Sequence, residues 1–186
     1  ESLRAGVPWD FETYGDYLAA VERRGTVLNF GGYVGHTAVR MYVMGGDEAY
    51  DRAATANEVA SMRDVVASSL RAGAIGFSTS SAPSHQGDLG RPVPSRQADR
   101  AEVASLLRAL RDEGRGVAEF LPGEKVVHAD VYDLQPEIGR PFTWIALVTM
   151  PGGYHENLLE VHARGSAAGA EVWPQMSARP VSIQMT

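Results

Sequence analysis

Four times in this chain a helical pattern stops at a glycine and an apolar run resumes within a few residues. The four junctions are Ala72-Gly73-Ala74-Ile75, Glu113-Gly114-Arg115-Gly116-Val117, Ile138-Gly139-Arg140-Pro141-Phe142 and Ala168-Gly169-Ala170-Glu171-Val172. Glycine is favoured just past a helix because it takes the left-handed conformation there without a steric penalty. The glycines are separated by 41, 25 and 30 residues, room each time for one strand and one helix. Strands alternating with helices at such spacing imply consecutive βαβ units and a parallel sheet.

The periodicity predicts five strands, at Val27–Val34, Ala74–Ser80, Val117–Leu121, Phe142–Val148 and Val172–Ser177. A first helix carries Phe11, Tyr14, Leu18 and Val21 at helical spacing and stops at Gly25. A short one is expected over Thr37–Met44. The clearest spans Ala56–Ala72, opened by Thr55 and Glu58 in capping-box spacing. The stretch Glu124–Ile138 has no clean period.

Five successive parallel strands suit an open doubly wound sheet or part of an eight-stranded barrel. Doubly wound nucleotide folds carry a glycine-rich phosphate turn after the first strand, and Gly31-Gly32-Tyr33-Val34-Gly35-His36 lacks that spacing. The expectation is therefore a partial (β/α)8 TIM barrel, with residues 1–186 as a single segment of it, since a closed barrel typically needs about 250 residues. Five strands without closure leave two edges open, so self-association, or pairing with the remainder of a barrel, is expected.

The totals narrow the function. A formal charge of −6 argues against a nucleic-acid surface. No apolar run approaches the ~20 residues that cross a bilayer, and the absence of cysteine fits a cytoplasmic protein without thiolate metal sites. What remains is a small-molecule site, expected where Ala74–Ser80 spills into the polar, proline- and glycine-rich loop reaching Ser95. Loops longer than about 12 residues in a compact domain are usually functional or disordered.

His36 ends a strand and could meet substrate or cap the following helix. Arg40, one turn on, could pair a substrate carboxylate or a structural acid. Ser78 and Thr79 could offer hydroxyls to a ligand or satisfy loop amides; no G-x-S-x-G elbow makes a nucleophile of them. Alternation places Glu119 with Val117 and Leu121, so inside a barrel it would need a cation or another partner. Gln175 and Arg179 end the last strand and could face the same cavity. His85 reads as an exposed loop histidine, and His128, His155 and His162 as surface or packing residues. Trp144 and Trp173 read as core.

Three blocks in order, G-G-Y-V-G-H-T-A-V-R-M-Y-V-M-G (31–45), A-T-A-N-E-V-A-S-M-R (54–63) and A-G-A-I-G-F-S-T-S (72–80), resemble the amidohydrolase superfamily, and within it the N-acyl-D-amino-acid deacylase branch. G-R-P-V-P-S and V-W-P-Q-x-S-x-R-P resemble one subgroup of that branch. The resemblance implies a metal-dependent hydrolase, with zinc, that cleaves the amide of N-acyl D-amino acids. It also implies that the family's His-x-His pair, metal-binding Cys and catalytic Asp fall outside these residues. Stretches corresponding to two further ligand histidines, G-V-A-E-F-L-P-G and T-W-I-A-L-V-T-M, hold no His. No metal ligand is therefore assigned here, and the isolated piece is expected to be inactive. The alternative is a non-catalytic barrel that binds a small acylated ligand or scaffolds a partner.

Overall fold

Each strand follows a helix, and several of those helices open on a side-chain cap. The computed structural model describes residues 6–149 and 152–178. In order these are α1 (Tyr14–Arg24), β1 (Tyr33–Gly35), α2 (His36–Met44), α3 (Glu48–Asp51), α4 (Ala56–Ala72), β2 (Gly76–Ser80), α5 (Arg100–Asp112), β3 (Val117–Leu121), α6 (His128–Ile138), β4 (Phe142–Trp144), α7 (Tyr154–Ala167) and β5 (Val172–Pro174). Two short 3-10 turns, Asp88–Gly90 and Pro94–Gln97, lie in the loop after β2.

Thr55 accepts from the Glu58 amide while the Glu58 carboxylate reaches back to Thr55, so the expected capping box is formed. Arg52 then holds Glu58 with a charge-assisted bond of 2.7 Å. That bond, followed by the Thr55 amide, pulls the Glu58 carboxyl down to about 2. Gly73 closes α4 at φ 119°, where a side chain would be strained.

All strand pairs are parallel and the spatial order is β1-β2-β3-β4-β5. A doubly wound sheet reverses its strand order at a switch point; this one runs in a single direction, as a barrel does. Its two faces are unlike. Phe77, Ala118, Phe120, Phe142, Trp144 and Val172 are buried with Met62, Val66, Leu70, Leu106, Leu107, Leu110, Leu134 and Ile138 from the helices. The opposite face carries the paired row Gly35, Ser78, Glu119, Thr143 and Trp173. Gly76 lies where β2 and β3 meet so closely that a Cβ there would stand 1.9 Å from the Val117 carbonyl oxygen.

Three expectations need correction. The first strand is only Tyr33–Gly35, because β2 begins at Gly76 and offers no ladder to the earlier residues; Val27 is fully exposed at 102%. Trp173 is not core. Period-two alternation sets it in the Glu119 row on the open face, 65% exposed. Phe142–Val148 and Val172–Ser177 shorten to three-residue strands, although Leu147 still donates to the Gln175 carbonyl at 2.8 Å.

The stretch without a clean period is the helix α6. Its pattern is masked by Gln135, a buried polar residue that donates to the Arg140 carbonyl at 3.1 Å and accepts from the Glu171 amide at 2.9 Å. Pro136, inside the helix, obscures it further. Trp144 is buried as expected, its indole N–H donating to the Tyr132 hydroxyl at 2.9 Å.

Candidate functional site

A cavity of about 380 Å³ opens at the carboxyl ends of β1, β2 and β3. His36, Ser78, Thr79 and Glu119 line it, as do Thr37 and Ser95. His85 also lines it, although its exposure matches the loop reading. The loop after β2 forms one side. Ser95 Oγ donates to the Ser80 carbonyl at 2.8 Å and accepts from Thr37 Oγ1 at 3.1 Å, which fastens the loop to the strand end. Farther out, Arg91 donates to Asp51 at 2.8 Å and lies 4.3 Å over the Tyr50 ring, tying the loop to α3.

Glu119 obeys the expected alternation. Ala118 and Phe120 are buried on the helix side, while Val117, Glu119 and Leu121 share the other face, half-buried. Gln175, just past β5, donates from Nε2 to Glu119 Oε1 at 3.3 Å. The ends of β3 and β5 therefore reach one another. Nearby Tyr33 has its phenol pKa raised, first by burial and then by the negative charge of Glu119. Arg179 lies outside the described residues.

Behind the cavity stands a buried polar cluster. His36 is 1% exposed, Arg40 0% and Glu102 6%. Arg40 Nη1 donates to both Glu102 oxygens, at 2.5 and 2.6 Å, and Nη2 donates to the Arg52 carbonyl at 2.8 Å. His36 Nε2 stands 2.9 Å from Glu102 Oε1, and Nδ1 stands 2.8 Å from Thr79 Oγ1. Burial raises the Glu102 carboxyl pKa, but the hydrogen bonds from His36 and Arg40 outweigh it and hold the group below its ordinary value. Burial lowers the His36 pKa, against the opposing pull of Glu102. The resting arrangement is a neutral imidazole beside an ionised carboxylate.

Arg40 therefore takes the structural of its two sequence roles. Its two terminal nitrogens are taken up by Glu102 and the Arg52 carbonyl and its side chain is sealed from solvent, so it is not a carboxylate clamp in the cavity. Glu102 is the residue that sequence reasoning missed. Asp99 and Glu102 have capping-box spacing, and Asp99 does accept from the Glu102 amide at 2.8 Å. The Glu102 carboxylate turns inward instead of returning to the cap. A histidine and an arginine four apart on the short helix α2 share one helix face, and that pairing was the available signal for a common acid.

A metal centre would need several donors converging. Among the described residues no group of three or more His, Cys, Asp or Glu could hold a metal ion. Both ring nitrogens of His36 are already engaged, and among the described residues Glu119 is the one carboxylate lining the cavity. These residues alone do not fit a metal centre. Among the described residues, no helix is long and apolar enough to cross a membrane.

No protein-family model matches the chain. A D-aminoacylase of Alcaligenes xylosoxydans xylosoxydans is 32% identical over 129 residues, spanning 68% of this chain and 24% of the relative. A D-aminoacylase described as defining a novel subset of amidohydrolases superposes with a TM-score of 0.71 at 25% identity, and a D-aminoacylase mutant in complex with copper chloride does so with 0.72 at 25%. A third solved D-aminoacylase, described by its binuclear metal centre, has a TM-score of 0.69 at 24% identity. Each superposition covers 92% of this chain and 34% of the solved one. The chain thus spans about a quarter of its curated relative and a third of the solved structures. In both sequence and fold this chain is similar to one part of the D-aminoacylases.

Proposed function

We propose that these residues form the substrate-side wall of a metal-dependent amidohydrolase barrel that cleaves the amide of N-acyl D-amino acids. The observation that carries the reading is the convergence of Ser78, Thr79, Glu119 and Gln175 at one end of a parallel sheet. In barrels of this kind substrate sites occupy the carboxyl ends of the strands. Ser78 and Thr79 bind and orient substrate through their hydroxyls, and Glu119 with Gln175 offers a second polar anchor. The metal, zinc on the sequence resemblance, would be held by groups other than those described here, where the donors are too few. When bound, such an ion polarises the amide carbonyl. His36, neutral and buried, holds the β2 end in place, and the loop through His85 and Ser95 limits access of water.

The test is metal analysis of the intact protein, together with acetate release from N-acetyl-D-amino acids. Stoichiometric zinc and turnover that disappears with chelation and returns with zinc are expected. A metal-free protein that still binds an N-acyl amino acid without turnover would replace this reading with that of a non-catalytic ligand-binding barrel.

A further inference from the structure

We infer that Thr79 meets the ligand as a hydrogen-bond acceptor, a polarity imposed on it by Arg40 and Glu102 through His36, and that the group it receives is an N–H donor such as the substrate amide. The chain of reasoning starts at the cation. Arginine only donates hydrogen bonds, and two N–H···O contacts from Arg40 Nη1 fix Glu102 as an ionised acceptor. An ionised carboxylate has no proton to give, so the contact of 2.9 Å requires His36 Nε2 to carry the hydrogen. A neutral imidazole protonated at Nε2 has a bare lone pair at Nδ1. Thr79 Oγ1, 2.8 Å away, must then donate its only hydrogen inward.

The Thr79 oxygen is left with lone pairs alone for the cavity it lines. A threonine not so tied can rotate its hydroxyl to serve donor or acceptor. Here that choice is removed by residues that do not touch the ligand. Glu102 and Arg40 are positioning residues, and Thr79 is the ligand contact. The identity of the donor as an amide N–H rests on the amidohydrolase reading; the polarity of Thr79 does not.

Selective 15N-histidine labelling of the intact protein tests the polarity directly. His36 should show the Nε2–H tautomer at pH 7, and Glu102→Gln, whose amide can donate or accept, should shift that resonance pattern. A His36 carrying its proton on Nδ1, or on both nitrogens, would overturn the assignment. The ligand contact is tested by Thr79→Val, which keeps the shape and removes the oxygen. We expect KM for an N-acetyl-D-amino acid to rise about tenfold with kcat little changed, the loss of one hydrogen bond. Thr79→Ser should restore it. An unchanged KM in Thr79→Val would overturn the contact. A wild-type protein inert towards N-acetyl-D-amino acids would sink the amidohydrolase reading and with it the amide donor, and the tautomer would still decide the polarity.

Discussion

Gln175 reaches across β4 to donate to Glu119, on β3, at 3.3 Å. The two residues are 56 apart in sequence and are separated in the sheet by a whole strand. Both lie on the open face of the sheet, where two long side chains span the roughly 9.6 Å between alternate strands.

If Glu119 anchors substrate, Glu119→Gln should lower kcat/KM of the intact enzyme by about 10- to 100-fold, the range for losing a hydrogen bond to a charged group. Gln175→Ala should have a smaller effect in the same direction. Both variants should keep the wild-type melting temperature, since both side chains face the open side of the sheet. Steady-state kinetics beside thermal melts would check this, and a large fall in stability would mean that Glu119 is structural.

Arg40→Ala should destabilise the fold by about 3–5 kcal/mol, because it leaves the Glu102 carboxylate buried with its main partner gone. Exposed ion pairs such as Arg100 with Asp130 should matter far less, within about 1 kcal/mol. Chemical denaturation of the two alanine variants would measure the contrast.

Acid should destabilise the protein in two stages. His36 has a folded pKa below its ordinary value, so the unfolded chain takes up a proton first and stability falls as pH drops below about 6.5. Glu102 has a lowered carboxyl pKa, so its contribution is present above about 4.3 and is lost as pH falls through and below that range. His128, also lowered by burial, adds to the first stage with the same sign. Melting temperature against pH should therefore decline from neutrality towards pH 5, with a shallower slope in His36→Gln and again in His128→Gln. An unchanged slope in His36→Gln would count against a neutral buried imidazole.

Gly76→Ala should cost about 3 kcal/mol or more, since the new methyl would overlap the Val117 backbone and force β2 from β3. Gly114→Ala has open space around its Cβ and suffers only from its positive φ of 64°, so it should cost less. Comparative melts of the two variants would decide it.

The free sides of β1 and β5 remain unpaired within the described sheet. Produced on their own, these 186 residues should dimerise or aggregate through those edges. Light scattering should show species heavier than a monomer; a monodisperse monomer would contradict this.

The local order of the fold was legible in the sequence, because helix periodicity, capping residues and glycine stops act over a few neighbours. Thr55 with Glu58, Gly73 as a helix stop, and the alternation through Glu119 all follow from contacts within a turn or along one strand. Other features depended on which surface met which. Val27 and Leu28 have the composition of a strand, yet they have no neighbouring strand and project into solvent. Trp173 looks like core and faces the open side, since alternation alone does not say which face the helices cover.

The sequence by itself determined the succession of βα units, the placement of a polar site at the strand ends and the likeness to D-aminoacylases. Only the tertiary structure decided that Arg40 serves Glu102 rather than a ligand, and that His36 stands between Glu102 and Thr79. Those partners are 43 to 66 residues apart. A buried charge takes whatever countercharge packing delivers, and packing is a property of the assembled chain.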